Sequence, residues 1–211
     1  MKALWFICVL ALTGCQQAYY ATMEKFGVEK REILVDRVKD ARDAQQEGQQ
    51  QFKDALDELS QLLNFDGGDL QTQYEQLSSQ YQQSKKAAEL IGSRVDKVQS
   101  VAEALFDEWR DELEQYQSQQ LKRQSQQQLV QTERQFQQLL KKMRSAQSKT
   151  QPVLRVLNDN VLFLKHNLNA KAIGAVQQDF SGLQRDLRSL VQEMNQAINE
   201  SNKFIARLQQ D

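Results

Sequence analysis

Apolar residues recur along most of this chain at alternating spacings of three and four, the pattern of helices that pack into a bundle or coiled coil. One such run begins at Leu70 and reaches Trp109, and another extends from Ile173 to Leu208. Alternation with a period of two, which would indicate strands, does not occur. We therefore predict an all-α fold: an elongated antiparallel helical bundle or coiled coil of three to four long helices.

Turn signals divide this pattern into four predicted helices. Gly67 and Gly68 can end the first helix. The second is expected to continue through the glutamine-rich residues 112–131, because glutamine favours helix almost as well as lysine does. Pro152 either begins a third helix or kinks a continuous one. The helices are expected at about residues 22–64, 70–149, 152–166 and 170–209, and the second would be on the order of 120 Å long.

The N-terminal residues have a different pattern. Lys2 precedes a short apolar run that ends with Leu12-Thr13-Gly14-Cys15. A ten-residue helix covers roughly 15 Å, whereas a bilayer core of roughly 30 Å needs about 20 apolar residues, so the run is too short to span a membrane. A buried N-terminal helix is the alternative, but polar residues follow at once from Gln16. We interpret residues 1–14 as a signal peptide.

The sequence from Leu12 to Cys15 resembles the bacterial lipobox, which implies acylation of the Cys15 thiol and cleavage just before it. Residues 15–21 are then a lipidated tether, and residues 22–211 form a single helical domain. Several acyl chains on one cysteine would make release from the membrane negligible. Gln16 in place of aspartate implies, by resemblance to the enterobacterial sorting rule, the outer membrane rather than the inner. We expect a periplasm-facing envelope protein.

Charge and cysteine content limit the possible functions. Lys and Arg total 27 against 28 Asp and Glu, so the formal net charge of −1 supplies no overall basic field for nucleic acid. Cys8 would leave with the signal peptide and Cys15 would be acylated. No thiol would then remain for a disulfide, a metal ion or a nucleophile.

Residues that could carry catalysis do not occur in convergent sets. His166 is the single histidine and lies in a polar break. Gly67 and Gly68 are not followed by the Lys-Ser or Lys-Thr of a phosphate loop. The carboxylates around Trp109 are spread over several helix faces, which is typical of a solvated surface. We expect no enzymatic activity, cofactor, metal or small-molecule substrate; the heptad period shared with DNA repair ATPases does not indicate their function.

The segment Tyr19–Arg42 resembles the start of an uncharacterised family of bacterial, lipoprotein-like helical proteins, known only as a domain of unknown function. The resemblance covers most of the mature chain and implies no activity, cofactor or catalytic residue. It directs attention to the dense charges of Met23–Arg42. These charges form either a solvated helix face or a docking surface close to the membrane.

The segment after Pro152 has apolar groups on more than one face, so it is either wrapped by neighbouring helices or available to a partner. We expect Leu154 and Leu162 on its outward side. The candidate partner contacts are Val153, Leu154, Val156, Leu157, Val161, Leu162, Phe163 and Leu164.

The resulting hypothesis is a non-catalytic scaffold or adaptor, bound to the membrane through Cys15, that contacts an envelope protein or its own copies. A membrane-binding or membrane-shaping module is the alternative, although it would need a basic face that the balanced charge does not favour. A site formed between helices would require a polar pocket.

Overall fold

The structure, a computed structural model, describes residues 30–64 and 69–209, and all of its regular elements are helices. This confirms the all-α prediction. The described helices are α1 (Lys30–Leu63), α2 (Leu70–Leu113), α3 (Gln119–His166) and α4 (Ala170–Leu208). The expected helix start at Thr22, the signal peptide and Cys15 all lie outside the described residues.

The helices form an antiparallel bundle in which each packs mainly against two others. Helix α1 contacts α2 and α4, and α3 contacts the same two helices. Because short connections join consecutive helices, the topology is up-down-up-down. Polar contacts link neighbouring helices near the middle of the bundle: Arg94 to Asp40, Arg42 to Asn202, Arg144 to Asp96, and Lys142 to Gln196.

The core is built from the apolar positions that recur every three or four residues. Phe136 of α3 is buried and packs its ring 5.6 Å from Phe106 of α2 and 6.0 Å from Phe204 of α4, measured between ring centroids. Leu34 and Phe52 contribute fully buried side chains from α1. Helices of this length owe most of their stability to such packing rather than to intrinsic propensity.

The predicted continuous helix over residues 70–149 is wrong, because the chain reverses between Leu113 and Gln119. The backbone N–H groups of Glu114 and Gln115 bond to Asp111 and Glu112, which ends α2 with a tight turn. The Ser118 hydroxyl then accepts a bond from the N–H of Leu121 and caps α3. Reversal lets both helices bury their apolar seams, so tertiary packing overrides the helix propensity of glutamine. Helices α2 and α3 are roughly 66 and 72 Å long.

Of the two alternatives for Pro152, the continuous helix is the one observed: Pro152 lies inside α3, so the separate helix expected over residues 152–166 is wrong. Proline removes one backbone donor from a helix interior, which is destabilising. Here the flanking Thr150 and Val153 are both buried. Packing on the two sides of Pro152 therefore offsets the cost and keeps the helix intact.

Candidate functional site

The predicted partner contacts occupy the last turns of α3, where the structure divides them into two groups. Val156 is half-buried, and Leu162 and Phe163 are 54% and 42% exposed. Leu154, expected on the outward side, is instead buried, because this face of α3 packs within the bundle. The other members of the set are buried as well: Val153, Leu157, Val161 and Leu164. Most of the apolar excess in this segment therefore serves the core.

The exposed remainder forms one small surface, the C-terminal patch, defined as Val156, Leu162 and Phe163. Phe163 follows Val156 by seven residues, so the two lie on the same side of the helix, two turns apart. Exposed Arg155 and Asp159 share this part of α3. The patch thus combines apolar groups with charges of both signs, the composition of a surface that a protein partner can cover.

An open groove of about 460 Å³ between α2 and α3 adjoins the patch. Lys85 and Glu89 line it from α2, and Arg155 and Asp159 line it from α3, with Leu154 also contributing to the wall. Charged side chains of both signs along an open groove are typical of the polar rim of a protein–protein interface. The groove supplies no arrangement of a nucleophile beside a base, which acyl-transfer chemistry needs.

Asn160 lies within the same segment but turns inward. Its side chain is buried, and its Nδ2 has no hydrogen-bond partner in the structure. An unpaired buried amide typically costs about 1–3 kcal/mol. The core at the end of the bundle that carries the C-terminal patch therefore contains a buried polar group without a hydrogen-bond partner, which a purely apolar core would not.

The other residues considered from the sequence, His166 and the charged side chains near Trp109, lie on the surface or form ion pairs. His166 is exposed at the end of α3. Near Trp109, Glu108 pairs with Lys30, while Arg110 pairs with Asp107 and Glu133. Over the described ranges, 30–64 and 69–209, the acidic and histidine side chains form no cluster suited to a metal ion.

Asp69 is the N-cap of α2 and has an altered acidity. Its carboxylate accepts hydrogen bonds from the Thr72 hydroxyl at 2.6 Å and from the N–H of Gln71 at 3.0 Å. The bond from Thr72 and then that from Gln71 lower the pKa of Asp69, because both stabilise the charged form. The carboxylate therefore serves as a helix cap.

The sequence reasoning missed a second exposed apolar surface at the α2–α3 turn. We define the tip as residues 107–133, the ends of α2 and α3 around that turn. It exposes Tyr116, Leu121 and Val130. The signal was present in the sequence: the apolar rhythm fails over residues 114–118, where Ser118 is a residue type that commonly begins a helix.

Fold and surface together define a class: an up-down-up-down four-helix bundle with apolar side chains exposed near both ends of α3. Within the part of the chain that is described, no helix is both long and apolar enough to cross a bilayer. The family model for a protein of unknown function, DUF2959, matches residues 19–208. The chain belongs to this family, as the resemblance of Tyr19–Arg42 indicates. None of the curated proteins compared with the chain matches it.

Proposed function

We propose that this protein is a non-catalytic scaffold of the bacterial cell envelope, anchored in the outer membrane by acyl chains on Cys15. It holds a protein partner, either an envelope protein or a second copy of itself, through the C-terminal patch. The observation that carries the proposal is the exposure of Leu162 and Phe163, adjacent large apolar side chains on a helix whose other apolar groups are mostly buried.

A partner that covers the C-terminal patch would remove apolar surface from water. Removing apolar area from water gains roughly 25 cal/mol per Å², so a partner that covers both side chains gains affinity from them. Val156 and Phe163, seven residues apart on one face of α3, have the spacing by which one helix packs against another. The surrounding charges, which include Arg155 and Asp159, would then restrict which partner fits.

The partner contact is tested by photocrosslinking in living cells, with a photoreactive amino acid at the exposed position of His166, one turn beyond the patch. We expect a discrete crosslinked species, either a dimer or a complex with one envelope protein. The double variant Leu162→Gln, Phe163→Gln should lower its yield at least tenfold. The control is Leu90→Gln, which changes a leucine that is 41% exposed on α2, outside both the patch and the α2–α3 turn. An unchanged yield in the double variant would overturn this assignment.

The anchor is tested separately by growth with labelled palmitate. The wild-type chain should incorporate the label and fractionate with outer membranes, whereas Cys15→Ser should do neither. Label retained by Cys15→Ser would place the acyl chain on another residue and contradict the proposal.

A further inference from the structure

Two contacts show at which end of the bundle α1 begins. The Lys30 Nζ lies 2.9 Å from the Glu108 Oε1, and the Arg31 guanidinium carbon lies 5.7 Å from the centre of the Trp109 ring. Both contacts join the start of α1 to the last turns of α2. Lys30, the first residue that the structure describes, therefore lies beside the tip.

The length of the chain that connects Cys15 to Lys30 limits where a membrane anchor can be. Residues 16–29 span at most roughly 50 Å when fully extended, and roughly 22 Å if they are helical. Along α3, Leu162 lies roughly 60 Å beyond Leu121 at 1.5 Å per residue. Lys30 lies beside the tip, so a bilayer that holds Cys15 can meet the tip whether the connecting chain is helical or extended, whereas the C-terminal patch, at the far end of the bundle, is reached only by a nearly extended chain.

The tip presents the side chains that suit a phospholipid surface. Tyr116, in the turn, is 37% exposed, and Leu121, in the first turn of α3, is 53% exposed. Tyrosine is enriched at membrane interfaces, where its ring rests among headgroups. Arg123 is exposed one turn into α3, and basic side chains bind lipid phosphates while their stems cover apolar surface.

The remaining tip residues favour uncharged or zwitterionic headgroups over a strongly anionic surface. Glu114 lies in the turn and pairs with Lys122 at 3.1 Å, and Asp111 and Glu112 are exposed nearby. Glutamines make up much of the rest, and their amides can donate to phosphate and ester oxygens. Within residues 107–133, six acidic side chains stand against three basic ones, so this net acidic surface suits zwitterionic headgroups and would be repelled by an anionic membrane.

We propose that the tip lies against the bilayer that holds Cys15, with Tyr116 and Leu121 at headgroup depth. The bundle then stands on the membrane, and the C-terminal patch is held roughly 60 Å from its surface, given the rise along α3. This inference rests on the proposed anchor at Cys15. It adds an orientation, a lipid contact and a standoff distance for the partner.

The test compares two matched positions in the full-length lipidated protein, reconstituted into phosphatidylethanolamine and phosphatidylcholine vesicles. Spin labels are attached at Leu121→Cys and, in a separate sample, at Leu162→Cys. These leucines lie on the same helix and are 53% and 54% exposed, so both variants should fold. Cys15 would be blocked by its acyl chains, and Cys8 would be removed with the signal peptide, so each label is unique.

We expect the label at position 121 to collide several-fold more with lipid-soluble oxygen than with an aqueous nickel chelate. The label at position 162 should show the reverse preference. Aqueous behaviour at both positions, in protein that floats with the vesicles and carries acyl groups on Cys15, would overturn the proposed orientation while leaving the anchor intact. Protein that lacks acyl groups on Cys15 would overturn both the anchor and the orientation.

Discussion

The body of the bundle and its tip are built from the same helices but are held together differently. In the body, Phe136 packs against aromatic rings from both α2 and α4. In the tip, α1 contributes surface contacts from Lys30 and Arg31 to Glu108 and Trp109. There α2 meets α3 through buried Leu113 and Leu129 and a bond of 2.8 Å from the Trp109 Nε1 to the Ser125 Oγ. Regions with fewer buried apolar contacts open locally at lower free energy. The body therefore supplies stability, whereas the tip supplies an accessible surface.

The largest expected effect is a loss of core packing in the body. Phe136→Ala should lower the free energy of unfolding by about 3–5 kcal/mol, because it removes a buried ring and leaves a cavity between three helices. Urea denaturation followed by circular dichroism measures the change. The control Val130→Ala, on an exposed tip side chain, should change stability by about 0.5 kcal/mol or less. Equal losses in the two variants would show that the tip is packed as tightly as the body.

This contrast also explains which features the sequence predicts well. The seam from Ile173 to Leu208 has an unbroken three-four rhythm, and α4 covers residues Ala170–Leu208. Periodicity follows from burial on one helix face, so it is most informative where that face is continuously buried. The all-α class follows from the same rhythm.

Two features depend on contacts between residues that are distant in sequence: the positions of the turns, and which apolar residues after Pro152 are buried. The hydrophobic periodicity does not reveal such contacts. Glu114–Ser118 forms a turn because reversal buries both helix seams, although the local sequence favours helix. Pro152 remains inside a helix because neighbouring side chains pack there. Leu154 and Leu162 are equally apolar, and only the position of α2 and α4 decides that the first is buried and the second exposed.

The second prediction concerns a polar side chain within the body. Gln45 is fully buried in α1, and neither its Nε2 nor its Oε1 has a hydrogen-bond partner in the structure. Gln45→Met keeps a similar shape and removes the unpaired groups, so it should raise the free energy of unfolding by about 1–3 kcal/mol. Gln46→Met, at the exposed neighbouring position, should have little effect in the same urea titration. A destabilised Gln45→Met variant would indicate a bound water that satisfies the amide.

The third prediction weakens the tip alone. Ser125→Ala removes the acceptor of the Trp109 indole N–H, which should cost about 1 kcal/mol locally. Hydrogen exchange of tip amides should then be about fivefold faster, because that free energy corresponds to such a factor in the opening equilibrium. Amides in the middle of α4 should be unaffected.

A matched control for this change is Ser148→Ala, in an exposed part of α3 where the hydroxyl bonds only to the Ser145 carbonyl of its own helix. It should leave exchange in the tip unchanged. Uniform acceleration throughout the chain in Ser125→Ala would mean that the tip and the body open together as one unit.

The smallest expected effect concerns the N-terminal caps of α2 and α3, which lie at opposite ends of the bundle. Asp69 caps α2 with a carboxylate whose pKa is lowered by its bonds from Thr72 and Gln71, whereas Ser118 caps α3 with a hydroxyl that carries no charge. A lowered folded-state pKa stabilises the fold above the unfolded value of about 3.9 and loses that contribution as the pH falls through the folded value. Acid should therefore weaken the start of α2 and leave the cap of α3 unchanged.

Asp69→Asn tests this sign, because asparagine caps helices well but cannot supply the negative charge that the first turn of α2 otherwise lacks. The melting temperature of Asp69→Asn should be slightly below that of the wild type at pH 7, and the difference should shrink as the pH falls below about 3.9 and vanish once it is below the lowered folded-state pKa of Asp69. The melting temperature of Ser118→Asn should differ from that of the wild type by the same amount at pH 7 and at the lower pH. A deficit for Asp69→Asn that is independent of pH would mean that geometry, and not charge, carries the cap.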